Sequence, residues 1–294
     1  MPELPEVETI RRQLAPLVQG STLTRIEISD PRWSRPLAPA EVERALTGRR
    51  INALGRRGKY LVWEFSGDVY LAQHLRMTGA ILNEPSPEPA HVRVRMWLTR
   101  PKRRLVIDDP RRFGTGELLL GAGAMEEFFA ARLGYEPMDE RFTAEHLRSL
   151  ARGRTAPIKA LLLDQRRIAG VGNIYADEAL HRAGIHPLRP AGRLTREQAE
   201  RLRAAIVAAL EEGIDARGAT IDDFRHVDGV RGSFQDRFLV HRREGEPCPA
   251  CGRAIVKMTV AGRGTYVCET CQPRPRTDPR SVRRQAAGPG SRRL

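Results

Sequence analysis

A chain of 294 residues, 40 % hydrophobic, is long enough for two domains of ordinary size and can bury a substantial core. Its apolar runs, such as Leu118-Leu119-Leu120 and Leu161-Leu162-Leu163, fall far short of the roughly 20 residues of a membrane span. The acidic N-terminus lacks a secretory apolar stretch, so no membrane partner and a cytoplasmic location are expected. The formal net charge is +14, of which residues 273–294, with seven Arg and one Asp, supply +6. Such a surplus suits a polyanion, most simply nucleic acid, although an arginine-rich genome would also produce it.

The first predicted element is a helix over 4–18, with Val7, Ile10, Leu14 and Leu17 on one face. Ahead of it stand Met1, Pro2 and Glu3. If the initiator is removed, the terminal amine belongs to Pro2. A terminal amine titrates at about pH 8, a lysine at about 10.4. More of it is therefore neutral and able to form an imine with a carbon at the carbonyl level of oxidation. Glu3 lies beside it and Glu6 one turn on, within reach as acid and base. The same residues also suit a plain helix start, with prolines in the first turn and glutamates against the dipole. The opening stretch alone allows both readings.

Ser21 to Ser29 alternates around Leu23, Ile26 and Ile28 and predicts a strand, and 39–47 a short helix. Further strands are predicted at Tyr60 to Phe65, Val69 to His74, His91 to Leu98, Leu105 to Ile107 and Glu117 to Leu120. Closely spaced strands with tight turns predict an antiparallel sandwich or barrel. A linker is expected at 135–140, after which the pattern turns helical. Thr143 caps a helix to about Ala151, and Pro157 opens one from Ile158 to Asp164. Asn173 is placed to cap Ile174 to Ala183, and Thr195-Arg196-Glu197-Gln198 a long helix to about Glu212. Residues 217–235, rich in Gly, Asp and Arg, predict a mobile loop, and the tail from Pro273 disorder. The expected units are thus 1–134, the linker, a helical domain over 141–243, 244–272 and the basic tail 273–294.

Cys248, Cys251, Cys268 and Cys271 have the C-x2-C-x16-C-x2-C spacing of a four-cysteine zinc site. Four protein ligands leave no open position for water, so the role is structural, and metal would supply the folding energy of this short segment. Two disulfides are the rival, disfavoured in a cytoplasmic setting. His241 lies outside the spacing and reads as a surface residue. Between the cysteine pairs, Lys257 to Thr265 predicts a hairpin. Arg263, between Gly262 and Gly264, suits a phosphate or a groove, or is a solvated turn. Ile168-Ala169-Gly170-Val171-Gly172-Asn173 joins two helices. It offers either a helix-terminal phosphate site or simply a tight turn.

Together these stretches resemble the formamidopyrimidine-DNA glycosylase family, bifunctional base-excision enzymes for oxidised purines. The resemblance rests on Pro2-Glu3-Leu4-Pro5-Glu6-Val7-Glu8-Thr9, on Arg57-Gly58-Lys59-Tyr60-Leu61 as the lysine-bearing strand, and on His74-Leu75-Arg76-Met77-Thr78-Gly79. Asp108-Asp109-Pro110-Arg111-Arg112-Phe113-Gly114, Gly170 to Glu178 and Gly245 to Gln272 extend it in order over residues 2–272. It implies an α+β fold: an N-terminal β-sandwich with flanking helices, then a helical domain with a helix–two-turns–helix and a zinc finger holding one structural Zn2+. It also implies damaged double-stranded DNA in a basic cleft between the domains, bound by a monomer without a nucleotide cofactor, nucleoid-associated when on DNA.

The implied catalytic set is Pro2, Glu3 and Lys59. Pro2 attacks the sugar C1′ and displaces the base. Glu3 protonates the sugar oxygen and later shuttles protons, and β- then δ-elimination removes the nucleoside. Lys59 binds DNA near the lesion; in a chain with only four lysines its compact ammonium is a distinct choice. Met77, Arg111 and Phe113 fill the space of the flipped base, with Arg111 on the orphaned partner. Ordinary core packing is the plain alternative for Met77 and Phe113. Asn173 and Arg263 grip phosphate, Glu6 supports the site, and His91 makes a polar contact on the DNA-binding face. Residues 217–235 correspond to the lesion-capping loop. Where the family often has Val-Tyr-Gly-Arg-Glu, this chain has Val240-His241-Arg242-Arg243-Glu244. The competing expectations are an endonuclease VIII-like glycosylase for oxidised pyrimidines and a non-catalytic damaged-DNA-binding zinc protein.

Overall fold

The computed structural model of the chain describes residues 2–99, 102–220, 227 and 231–275. The first half runs α1 (Leu4–Val18), β1 (Leu23–Ile28), α2 (Pro39–Leu46), β2 (Ile51–Arg57), β3 (Tyr60–Phe65), β4 (Val69–His74), β5 (Ala80–Asn83), β6 (Val92–Leu98), β7 (Arg103–Asp108), β8 (Thr115–Leu120) and α3 (Ala122–Ala130). The strands form two four-stranded antiparallel sheets, ordered β1-β6-β7-β5 and β2-β3-β4-β8. Their inner faces share one core, in which Trp63, Phe65 and Leu71 meet Met96 and Ile107, with Val7, Ile10 and Leu14 of α1 packed in.

Strand β3 is buried on both faces. Its alternate residues Leu61, Trp63 and Phe65 face the sandwich, while Tyr60 and Val62 meet Phe128 and Phe129 of α3. Sequence patterning assigns no element to β2, β5 or α3. Strand β2 (INALGRR) is interrupted by Asn52 and Gly55 and lacks clean alternation, and β5 is only four residues long. Helix α3 begins at Gly121 without a side-chain cap.

The second half comprises α4 (Ala144–Ala151), α5 (Ile158–Leu163), α6 (Asn173–Arg182), α7 (Arg196–Asp215) and the hairpin β9 (Val256–Val260)–β10 (Arg263–Val267). The expected caps at Thr143 and Thr195 are present, each hydroxyl accepting the N–H three residues on. Helix α7 continues to Asp215. The start of α6 differs from expectation: Gly172 is its N-cap and Asn173 its first residue. The buried core of this half centres on Tyr175, Ile206 and Phe234, and Leu4 belongs to it rather than to the sandwich. Leu4 also donates its N–H to the Gly170 carbonyl at 3.0 Å. The first turn of α1 thus crosses from one half to the other.

Residues 221–226 and 228–230 of the loop expected over 217–235, and the tail beyond residue 275, lie outside the described residues. Val227 is described; it is buried in the sandwich core, takes a bond from Asn83 N–H and donates to Gln13. Among the described residues, no helix is long and apolar enough to cross a membrane.

Candidate active site

The N-terminus of α1 meets the N-terminus of α6. Glu3 accepts the Ile174 N–H at 3.0 Å and the Tyr175 N–H at 3.4 Å. These are the free amides that the sequence offers to a phosphate; a carboxylate of the same chain occupies them. Gly172 allows this approach, because a Cβ there would lie 2.3 Å from Glu3 Cδ. Gly170, at φ 93°, similarly makes room for Leu4. The two glycines therefore serve as a seat for the chain terminus.

Glu6 is buried beneath. One carboxylate oxygen accepts the Glu3 N–H at 2.8 Å, closing a capping box. The other accepts the Tyr175 hydroxyl at 2.8 Å and the Ala219 N–H at 2.7 Å. Burial and the charge of Glu3 push the Glu6 carboxyl up, against these three donors. Through Ala219, Glu6 also ties the end of α7 to α1.

A cavity of about 410 Å³ opens above this floor, walled by Pro2, Glu3, Lys59, Met77, Asn173 and Arg263 among others. Lys59 sits in the two-residue Gly58-Lys59 turn between β2 and β3, not within a strand as the motif suggested. The turn is fixed by the Gly58 N–H on Glu136 Oε1 at 2.6 Å, inside the expected linker. Burial lowers the Lys59 pKa, opposed by Glu3 and Glu6. His74, which sequence reasoning left without a role, also lines the cavity. Burial, helped by Arg76 and Lys59, lowers its pKa to about 3. Its Nδ1 accepts the Arg76 N–H at 2.9 Å, so the neutral ring carries its proton on Nε2. Its place at the end of a largely apolar strand, just before a turn, was the available signal.

Arg111 and Phe113 do not line this cavity. Phe113 is 51 % exposed, with the Arg111 guanidinium 5.1 Å from its ring centre. Buried Asp109 joins their loop to that of Met77, accepting Thr78 Oγ1 at 2.6 Å and the Gly114 N–H at 2.7 Å. Asp109 is a second residue that the sequence reading left unassigned. His91 is exposed, lies outside the cavity, and donates its N–H to Asp108 at 3.0 Å.

The hairpin reaches the site through Asn173, whose amide donates to the Gly264 carbonyl at 2.9 Å rather than capping α6. Arg263 is the first residue of β10 and not the tip of the turn, which is Ala261-Gly262. Fully buried Lys159 bonds Asp177 at 2.6 Å and Thr265 Oγ1 at 2.7 Å. His241 is not the surface residue that the sequence suggested. It is buried, with Nδ1 2.9 Å from Asp177 Oδ2 and its backbone N–H 2.9 Å from Glu178 Oε1. Asp177, one position from the helix signature's end, can be seen to need partners only once α6 is packed.

Cys248, Cys251, Cys268 and Cys271 hold their sulfurs within 4.8 Å of one another, with the Cys248–Cys271 pair at 3.8 Å and the Cys251–Cys268 pair at 3.4 Å. A tetrahedron of Zn–S bonds of about 2.3 Å has S···S edges of about 3.8 Å, so the four thiols fit zinc. None of them is in a disulfide. Burial and the neighbouring sulfurs push the Cys271 thiol up, the opposition that a cation relieves.

Known proteins match this arrangement along nearly the whole chain. Residues 1–116 match the model of the formamidopyrimidine-DNA glycosylase N-terminal domain, 133–225 that of its H2TH domain, and 245–274 a zinc finger found in FPG and IleRS. The chain is 47 % identical over 274 residues to the formamidopyrimidine-DNA glycosylase of Thermus thermophilus, covering 92 % of this chain and 98 % of that one. The crystal structure of the Thermus thermophilus protein superposes with a TM-score of 0.83 at 46 % identity, over 92 % of this chain and 98 % of that one. A glycine-to-proline mutant of the Lactococcus lactis enzyme, 36 % identical, superposes with a TM-score of 0.87 in a complex with Fapy-dG-containing DNA, covering 93 % of this chain and 100 % of that one. The wild-type Lactococcus lactis enzyme superposes with a TM-score of 0.86 in a complex with oxidised-pyrimidine-containing DNA, over the same shares.

Proposed function

The chain belongs to the formamidopyrimidine-DNA glycosylase family, and on that premise we propose which of its residues carry the reaction. The protein is a base-excision DNA glycosylase and abasic-site lyase that acts on damaged double-stranded DNA and carries a structural zinc finger. In our reading Pro2, freed of Met1, is the nucleophile at the sugar C1′ of an oxidised purine nucleotide. The observation that carries it is the seat of Glu3: its carboxylate is held by two amides of α6 beside Pro2, at the floor of a cavity that also receives Lys59. An acid–base group fixed at both oxygens keeps its geometry through successive proton transfers.

The Pro2 nitrogen forms a bond to C1′ while the glycosidic bond breaks, and Glu3 gives a proton to the ring oxygen as the sugar opens to an iminium. Loss of a C2′ proton expels the 3′ phosphate, and a second elimination expels the 5′ phosphate. Lys59, with Asn173 and Arg263 lining the same cavity, holds the strand's phosphates. Neutral His74 offers its Nε2–H at the same wall. Met77, with Arg111 and Phe113 on the loop that Asp109 fastens beside it, enters the base stack. Glu6 fixes the backbone of Glu3, and His91 contacts the DNA backbone outside the cavity. Zinc supplies no chemistry to the reaction; it folds the finger that carries Arg263. The protein works in the cytoplasm, on the nucleoid.

Borohydride trapping on a duplex with one 8-oxoguanine opposite cytosine tests this. A covalent complex is expected with the natural protein and none with Pro2→Gly. Because the Lactococcus lactis relative has been seen on oxidised-pyrimidine DNA, a pyrimidine-lesion duplex is the informative second substrate. Faster trapping there would move the assignment to the pyrimidine branch.

A further inference from the structure

We infer that His181 of α6 donates a hydrogen bond to the zinc-bound thiolate of Cys248, and so raises the affinity of the finger for its metal. This role belongs to the zinc site and goes beyond the assignment of residues to the reaction. His181 stands in the last turn of α6, with its Nε2 3.4 Å from Cys248 Sγ. The residue is 7 % exposed. Its other ring nitrogen, Nδ1, is buried and meets no polar partner among the described residues.

The first argument is the chemistry of the pair. An apolar ring here would leave no polar atom orphaned, whereas histidine leaves Nδ1 unsatisfied, and the bond through Nε2 is what offsets that cost. Cys248 is itself buried, while Cys251 is exposed and can take its donors from water. A buried sulfur that becomes an anion on binding zinc needs a donor from the protein. A thiolate offers only lone pairs, so the ring nitrogen must be the donor. A neutral thiol is a weak acceptor and a thiolate a strong one, so the bond strengthens as the metal binds. An interaction that is stronger in the loaded site than in the empty one raises metal affinity by the same factor.

The second argument is the helix. Eight residues before His181, or about 12 Å along the axis, Asn173 holds the Gly264 carbonyl of the hairpin. Between them Asp177 holds Lys159, which reaches Thr265. Glu178 accepts the N–H groups of Leu239, Val240 and His241, which lead into the finger. His181 carries this row of polar contacts to the metal-binding end. One face of α6 therefore holds the hairpin that bears Arg263 and the cysteines that fold it.

The test compares the full-length, zinc-loaded protein with H181F, which keeps an aromatic ring without the donor, and with H181Q, whose amide nitrogen lies as many bonds from the backbone as Nε2. H181L is a second variant without the donor, for use if H181F does not fold. Zinc affinity is read by competition with a chromophoric chelator. The sulfur-to-metal charge-transfer band is read after cobalt replaces zinc. H181F is expected to bind zinc about 10–100-fold more weakly. Its cobalt band is expected at longer wavelength, because a thiolate freed of its hydrogen bond gives up an electron more readily. H181Q is expected to recover most of the affinity and the band position. Unchanged affinity and band in the variants without the donor overturn the inference. So does weaker zinc binding with an unmoved band and no recovery in H181Q, which marks a packing role. A cobalt spectrum of the natural protein with a nitrogen among the four ligands also overturns it, since His181 would then hold the metal directly.

Discussion

His74 shows how much of the site's chemistry lies in burial rather than residue type. As a free side chain it would titrate at about 6.5; buried between Lys59 and Arg76 it does so at about 3. The unfolded chain therefore binds a proton between these values that the folded chain does not. The stability held above pH 6.5 is lost as pH falls through this window, with a slope of about 1.4 kcal/mol per pH unit. His74→Asn is expected to flatten the acid side of the stability–pH curve by up to one proton, measured by urea denaturation from pH 4 to 7. Glu6 tests the opposite geometry, an acceptor surrounded by donors. Glu6→Gln must turn an NH2 group toward a donor, either the Glu3 N–H or the Tyr175 hydroxyl and Ala219 N–H, and is expected to cost about 1–3 kcal/mol. The same denaturation assay at pH 7 reads it.

The seat of Glu3 is a property of two helix ends. Gly172→Ala would put a methyl 2.3 Å from Glu3 Cδ, which can yield only by leaving the α6 amides. A displacement of about 1 Å at such a group costs about 10²-fold in rate. Single-turnover trapping is expected to slow by at least that much; an unchanged rate would show that the seat is dispensable. Elements of this kind were legible in the sequence where local chemistry decides them. The hydroxyl caps at Thr143 and Thr195, the short apolar and aromatic runs of β3 and β4 bounded by tight turns, and the cysteine spacing all declare themselves within a few residues. Strand β2 did not, because its pairing with β3 rather than its own pattern makes it a strand. Asn173 was read as a cap because it is the last polar residue before an apolar run. What moved the cap to Gly172 was Glu3, 171 residues before the amide it occupies. Pro2, Glu3, Lys59 and the cysteines could be singled out by chemistry and motif. The Lys159–Asp177–His241 cluster could not, since three elements must pack before its charges meet.

At the scale of the whole molecule, the finger is coupled to the reaction site by Lys159 and Asn173, which hold Thr265 and Gly264. Chelating zinc is expected to unfold residues 245–272 and release Arg263, weakening duplex binding at least tenfold while the sandwich keeps its circular-dichroism signal; restoring zinc should restore binding. Loss of the sandwich signal together with binding would show one cooperative unit. The other coupling runs through the first turn of α1, and it has a consequence for biosynthesis. Ribosomes add about 5–20 residues per second. With 171 residues between Glu3 and the amide of Ile174, the start of the chain waits roughly 10–30 seconds for the helix that seats it. Through that interval Glu3 lacks both of the α6 amides that hold its carboxylate in the finished fold. The floor of the cavity is thus completed only by the second half of the message.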